Sequence, residues 1–292
     1  MLEGEDRLNK LVKSLVPIII AIIAFGFNLL EDGGVDKNIP SGSIKVHFLD
    51  VGQADSILIE VDTGQTMLID AGGNGDSDFV ITYIEEQNIE QIDVLIGTHP
   101  HEDHIGGLDD VIEHFDIGKI YMPKVTHTTK TFEDVLVAIK NKGVKITTPI
   151  AGSTFDLGNA HFQILSPISS TYNNLNNYSI TVRLTHGDNS FLFMGDAEKQ
   201  VEDEIVEKGY SIKTDVLKLG HHGSETSTTE DFLNAVAPKY GIISVGEGNV
   251  YQHPHAEVIK RLEDRGIPIY RTDEVGTIVV TSDGKDLHFE YN

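Results

Sequence analysis

The chain has 292 residues, with 46 Asp and Glu against 22 Lys and Arg, a formal net charge of −24 and no cysteine. The lack of cysteine excludes disulfides, thiolate zinc sites and a cysteine nucleophile, so any metal must be held by His nitrogen and carboxylate oxygen. The charge repels polyanions over the surface as a whole and argues against tight, sequence-independent nucleic-acid binding, although a bound metal pair can invert the field locally.

In chain order, Arg7, Lys10 and Lys13 precede an uncharged apolar run from Leu15 to Leu30. Its length of roughly 16 residues lies between a signal-peptide core and a full span of about 20, and no small-x-small cleavage site follows it. The basic flank stays in the cytoplasm by the positive-inside rule. Residues 1–30 are therefore expected to be a membrane anchor or signal segment, 31–43 a polar linker, and 44–292 a folded domain held outside the cytoplasm or secreted. Within that domain, period-two and apolar runs predict strands at 44–50, 56–61 and 66–69, then a helix at 79–87 and a buried strand at 93–97. A helix at 108–115, a strand at 119–122 and a helix at 132–142 closed by Gly143 follow. The second half repeats the style, with strands at 161–165, 180–184, 191–194, 216–219 and 240–244 and helices at 197–208, 229–235 and 255–265, before 269–270 and 277–281 close the chain. Two β-rich halves with helices after strands predict two packed sheets with helices outside, an αββα sandwich.

The chemistry is concentrated in His99-Pro-His101-Glu-Asp103-His104, directly after an apolar strand and before Ile105-Gly106-Gly107. In an extended loop His99 and His101 project the same way and can grip one ion. Asp103 and His104 then face a second position as the chain turns into a helix. Imidazole and carboxylate suit divalent cations, and two such ions a few ångström apart can activate water. No serine–histidine relay and no P-loop accompanies the motif, since Gly72-Gly73-Asn74-Gly75 lacks the Lys-Ser/Thr.

This motif resembles the signature of the metallo-β-lactamase superfamily. Val46–Ser56, Leu68-Ile-Asp70-Ala-Gly, Met194-Gly-Asp196-Ala-Glu and Leu217-Lys-Leu-Gly-His221-His222-Gly-Ser224 resemble the hydrolase domain of ComEC-type DNA-uptake competence proteins, as do Asn249–His255 and Arg271–Gly276. The similarity covers about residues 44–290, whereas in those proteins the domain is fused to a many-helix channel absent here. The resemblance implies His99 and His101 as ligands of a first metal, and Asp103 and His104 as ligands of a second. It implies Asp196 as the carboxylate bridging both, and a histidine of the His221-His222 pair as the last ligand of the second. His221 is the expected ligand and His222 a substrate contact or general acid, with exchange of the two left open. Asp103 is also the residue on which turnover is expected to depend. Asp70 is expected to support a ligand imidazole, with Asp50 and Asp55 in similar roles.

One departure stands out. Where the superfamily usually completes the first site with a histidine, this chain reads Asn173-Asn-Leu-Asn-Asn177-Tyr-Ser179. Asn177 is expected as a weak ligand better suited to manganese or magnesium than to zinc, so the two divalent ions are zinc or manganese. His253-Pro-His255 is expected to face the substrate, with His255 a proton donor to the leaving group. His161 and His186 are read as structural, and His47, His114, His127 and His288 as ordinary surface or core residues. The resemblance to competence-protein hydrolase domains implies phosphodiester hydrolysis with DNA as a candidate substrate. Hydrolysis of a small ester, a phosphorylcholine-type diester or a β-lactam, and a metal-containing binding module with little turnover, are the alternatives. Lys124, Lys218 and Arg271 are the basic residues that could meet a polyanion near the site.

Overall fold

The structure, a computed structural model, describes residues 39–291. The expected anchor at 1–30 and most of the linker at 31–43 lie outside them, and among the described residues no helix is long and apolar enough to cross a membrane. Strands β1 (Ile44–Phe48), β2 (Ile57–Val61) and β3 (Thr66–Ile69) form an antiparallel meander. All their residues are buried, because both faces of the sheet are covered. Val46, Phe48, Ile59 and Met67 face the second sheet, while Leu58 and Leu68 face helices. Such double burial makes strands read as apolar runs rather than alternating ones.

Helix α1 (Ser77–Glu86) then leads to β4 (Gln91–Ile96), parallel to β3. Helices α2 (Glu102–Ile105) and α3 (Leu108–His114) lead to β5 (Asp116–Tyr121). Helix α4 (Lys130–Lys142) follows, and β6 (Ile146–Thr147) is parallel to β5. The Thr129 side chain caps α4 by accepting from Phe132 N, and Gly143 ends it at φ 75°, the left-handed conformation that glycine adopts without steric cost.

The second half opens with the antiparallel strands β7 (Thr154–Leu157), β8 (Ala160–Ile164), β9 (Val182–His186) and β10 (Asn189–Phe193). It continues through α5 (Lys199–Glu207), β11 (Val216–Lys218), α6 (Glu230–Val236), β12 (Tyr240–Ile243), α7 (Ala256–Glu263) and β13 (Ile269–Arg271), with β10 to β13 parallel. After α8 (Thr272–Val275), β14 (Ile278–Ser282) and β15 (Leu287–Tyr291) return to the first sheet. The sheet orders are β15-β14-β1-β2-β3-β4-β5-β6 and β13-β12-β11-β10-β9-β8-β7.

Three apolar clusters define four layers. One lies between the sheets, where Phe48 meets Phe193. A second packs Leu68 and Leu95 of the first sheet beneath Val80, Val111 and Val135 of its helices. A third packs Leu192 and Leu217 of the second sheet beneath Val201, Phe232 and Leu262. The expected αββα sandwich is the observed fold. Three partly exposed edge strands, β6, β7 and β15, are not among those expected from the sequence, although Leu287, Phe289 and Tyr291 of β15 alternate with polar residues.

Each sheet contributes a parallel pair at its centre. The chain leaves β3 and β4 in the first sheet, and β10 and β11 in the second, at the same end of the sandwich. Ligands in open α/β sheets gather beyond such carboxyl ends of strands.

Candidate metal centre

Beyond β4 the chain runs through Thr98 and His99 to His101, which is extended (φ −75°, ψ 149°) and starts α2 with its carbonyl accepting from His104 N and Ile105 N. This turn projects Asp103 and His104 from the first helical residues. The turn is pressed onto the loop after β3: Ala71 N donates to His104 O at 2.8 Å and Gly106 N donates to Gly72 O at 2.9 Å. A Cβ on Gly106 would lie 2.3 Å from Gly73 C and Asn74 N, so only glycine permits this approach. From the second sheet, Asp196 follows β10, and His221 and His222 form a turn after β11 with left-handed φ of 49° and 51°.

Among the described residues, three groups of potential ligand atoms result, each mutually within 4.8 Å; one, of Asp55, Asp70 and His104, includes the His104–Asp70 hydrogen bond, which leaves two. One comprises Asp103, His104, Asp196 and His222; the other comprises His99, His101 and Asp196. Asp196 belongs to both of these groups. Its Oδ1 lies 3.2 Å from His104 Nε2 and 3.5 Å from His222 Nε2, and its Oδ2 lies 3.7 Å from His99 Nε2. Among the described residues, His104 Nε2, His222 Nε2 and Asp196 Oδ1 are buried without a hydrogen-bond partner. Both close approaches to Asp196 Oδ1 lack hydrogen-bond alignment, and the three atoms cluster together. Buried polar atoms without partners are rare and costly, and a divalent cation would satisfy all three.

The tautomers suit this. Asp70, completely buried at φ 59°, accepts from Thr98 N (2.7 Å), Thr98 Oγ1 (2.6 Å) and His104 Nδ1 (2.8 Å). That bond leaves the His104 Nε2 lone pair for the site. His222 Nδ1 donates to the Ser244 carbonyl at 2.9 Å, freeing its Nε2 in the same way. Thr98 Oγ1, its proton given to Asp70, lies 3.2 Å from His99 Nδ1. Ser179 Oγ is 3.3 Å from the same nitrogen and accepts from Asp196 N.

The electrostatics favour a cation. Burial pushes the Asp196 carboxyl up, but His104, His222 and His99 outweigh it and hold it well below the usual carboxylate range. Burial likewise opposes a charge on His104, yet Asp196, Asp103 and Asp70 raise its pKa well above that of ordinary imidazole. His99, buried and flanked by His104, is pushed well below it. Positive charge is thus stabilised beside Asp103 and Asp196, and either a proton or a metal ion can supply it.

The structure brings His222, rather than His221, together with Asp103, His104 and Asp196. His221 is partly exposed and stands at the rim, its Nε2 3.7 Å from Asp196 Oδ2 and its Nδ1 3.6 Å from Glu198. Asn177 is turned to Glu198, its Oδ1 accepting from Glu198 N at 3.0 Å. The neighbouring Asn176 places its Nδ2 3.4 Å from both His221 ring nitrogens and keeps a buried Oδ1 without a hydrogen-bond partner. His253 packs on His221, with ring centroids 5.4 Å apart, and His255 lies beyond it at 4.8 Å. His127, read as ordinary from sequence, has its ring 6.2 Å from that of His101. His186 and His161 bond to Ser282 and Asp156, away from the ligand groups. This geometry predicts that His222→Ala removes about one equivalent of metal from the purified protein while His221→Ala retains both. Metal analysis of the two variants checks it, and the reverse pattern would restore His221 as the ligand.

Residues 49–247 match the family model of the metallo-β-lactamase superfamily. The chain is 34% identical over 252 residues to ComE operon protein 3 of Bacillus subtilis, covering 80% of this chain and 32% of that protein. It is 33% identical over 232 residues to Recombination protein 2 of Haemophilus influenzae, covering 77% and 27%. It is 28% identical over 250 residues to Competence protein ComA of Neisseria gonorrhoeae, covering 82% and 32%. The chain therefore spans about a third or less of the length of these relatives. Among solved structures, the metallo-β-lactamase fold protein YhfI of Bacillus subtilis aligns with a TM-score of 0.53 at 14% identity, covering 82% of this chain and all of that one. Igni18, a metallo hydrolase from Ignicoccus hospitalis, aligns at 0.52 and 16%, covering 81% and 98%. At such identities the likeness is one of fold. Motif, fold and sequence relatives agree, and the chain belongs to the metallo-β-lactamase superfamily.

Proposed function

We propose that the chain is a metal-dependent hydrolase of phosphodiesters, with DNA as its substrate class. The observation that carries the hydrolytic reading is the clustering of His104 Nε2, His222 Nε2 and Asp196 Oδ1, all buried and without hydrogen-bond partners. Asp103, His104, Asp196 and His222 would hold one divalent ion, zinc or manganese, and His99, His101 and Asp196 a second. Ions so held supply Lewis acidity toward a phosphoryl oxygen and lower the pKa of a water. The side chain of Asp103 is 35% exposed while those of His104, His222 and Asp196 are buried, so a substrate reaches the centre on the Asp103 side.

His255 fits the role of proton donor. Its Nδ1 accepts from Glu225 N at 2.9 Å, which leaves the ring proton on Nε2. The adjacent His253 does not fit, because burial and the charges of His221 and His222 push its pKa down to about 4. DNA as substrate is supported by relatives named for competence and recombination. The basic N-terminal flank and apolar run at 15–30 support attachment to a membrane with the domain on its outer side.

One observation favours a smaller substrate. Of the three basic candidates, Lys218 is completely buried against Asp55, and Arg271 is paired with Asp273 and Glu274. Lys124 is exposed. A small diester or ester makes less demand on a basic rim than a long polyanion does. The test is to load the purified chain with manganese or zinc and assay single-stranded DNA, bis(p-nitrophenyl) phosphate and a β-lactam. Diester cleavage is expected, abolished by chelation and reduced at least about 100-fold in Asp103→Ala. DNA cleavage matching or exceeding that of the small diester supports the nucleic-acid assignment. A metal-loaded wild type inert toward all three substrates overturns the hydrolase reading.

A further inference from the structure

Apart from the two ligand groups that share Asp196, a buried ion pair joins the two sheets beside the site. Lys218, the last residue of β11, is completely buried, and its Nζ lies 2.9 Å from both carboxylate oxygens of Asp55 in the loop between β1 and β2. Nζ also donates to the Leu219 carbonyl at 3.2 Å. Such a pair contributes little net stability, because desolvating both charges offsets their attraction and apolar residues often serve folding as well.

Its position suggests another role. Asp55 N donates to the Asp103 carbonyl at 3.1 Å, and Asp55 O accepts from Gly72 N at 2.8 Å. The Asp55 carboxylate also lies 3.5 Å from His222 Nδ1. One residue therefore touches the backbone of Asp103, the loop after Asp70 and the ring of His222. Lys218, through Leu219, grips the start of the turn in which His221 and His222 both hold left-handed backbone. Side chains other than glycine resist that conformation, so it persists where neighbours enforce it. Asp103 and His104 come from the first sheet and His222 from the second, and the Asp55–Lys218 pair spans the junction between them.

We propose that Asp55 and Lys218 form a positioning strut for the second metal position, setting the distance between the His222 turn and the Asp103–His104 helix so that an ion meets a formed site. The strut rests on the metal-centre reading. Neither residue belongs to the two groups assigned to the ions, so the strut acts through Asp103 and His222.

The test separates a strut from simple charge compensation. Asp55→Asn and Lys218→Met each leave one buried charge alone, whereas the double variant Asp55→Asn/Lys218→Met leaves none. Cobalt(II) is titrated into the metal-free full chain against a competing chelator, with the visible absorption recorded as a signature of ligand geometry and thermal melting recorded without metal. The expected result is a double variant that melts close to wild type. One of its two cobalt positions is weakened about 10- to 100-fold, as for lost outer-sphere partners, with an altered absorption band and the other position retained. A double variant with wild-type cobalt affinity and spectrum overturns the strut. If the double variant does not fold, the isosteric Asp55→Asn decides: weaker cobalt binding at one position supports the strut, and wild-type binding overturns it. A wild-type chain that binds no cobalt overturns the metal-centre reading and this proposal with it.

Discussion

Asp196→Ala is expected to abolish diester hydrolysis by at least about three orders of magnitude and to leave the protein unable to retain two metal ions. Asp196 is the one residue common to both of these ligand groups, with Oδ1 turned toward His104 and His222 and Oδ2 toward His99 and His221. Its carboxylate is buried, yet it is held ionised by the imidazoles around it rather than by solvent. Removing it leaves His104, whose pKa is raised in large part by this carboxylate, beside Asp103 and Asp70 alone. Loss of one member of a buried charged set costs about 3–5 kcal/mol. The metal-free variant should therefore melt below wild type, and Asp196→Asn, which keeps the shape, should melt closer to it while still losing both metal and turnover. Metal content by elemental analysis, melting of the metal-free proteins and diester hydrolysis check the set together. An Asp196→Ala protein with two bound metals and wild-type turnover would remove Asp196 from the centre.

How much of this arrangement is legible in the sequence depends on how local each part is. His99, His101, Asp103 and His104 occupy six residues after an apolar strand, so chain geometry alone gathers them. The sandwich is legible because strands such as Thr66–Ile69 and Asn189–Phe193 are buried on both faces, and their segments Met67–Ile69 and Phe191–Phe193 read as apolar runs. Asp196 is readable only through resemblance, since a Gly-Asp after a strand is by itself an ordinary turn. The choice between His221 and His222 is not legible by periodicity. Both lie in left-handed backbone, where neither the two-residue alternation of strands nor the helical repeat predicts the direction of a side chain. The same holds for Asn176 and Asn177 within the short helical turn at Leu175–Tyr178. Thr98 and Ser179 carry no signal, being common residues that matter here for where one hydroxyl proton points. Lys218 and Asp55 are 163 positions apart, and their partnership exists only once the two sheets pack.

The division of labour between the sheets gives these residues a common logic. The first sheet supplies a contiguous candidate ligand motif on a glycine-pressed turn, and the second supplies the candidates Asp196 and His222 from the ends of neighbouring parallel strands. A centre assembled across a sheet–sheet junction needs elements that fix the junction as well as ligands. Asp70 does this within the first sheet and Asp55 with Lys218 does it between the sheets. Ligand affinity in such a site depends on partners that never touch the ion.

Asp70→Ala is the sharpest test of that dependence. Asp70 accepts three buried hydrogen bonds, from Thr98 N, Thr98 Oγ1 and His104 Nδ1, and is itself completely buried in left-handed backbone. Burial raises its pKa, and His104 and the two Thr98 bonds oppose that rise without cancelling it. Alanine leaves all three donors without their acceptor, at about 1–3 kcal/mol for each buried group so stranded. A loss of about 3–5 kcal/mol in the metal-free protein is expected after partial relaxation, read as a fall in its denaturant midpoint. The effect on metal binding should exceed what destabilisation alone produces. His104 loses the bond that presents its Nε2 lone pair, and Thr98 Oγ1 loses the acceptor that orients it beside His99 Nδ1, so both metal positions feel one substitution. Weakening of about 10- to 100-fold is expected at each position. Asp70→Asn should recover part of the stability, because its amide oxygen can still accept from Thr98, but it should recover less of the affinity for the ion beside His104. If Asp70→Ala binds both metals as wild type does, the orientation of His104 and His99 is set by packing alone, and Asp70 is a turn residue of the loop after β3.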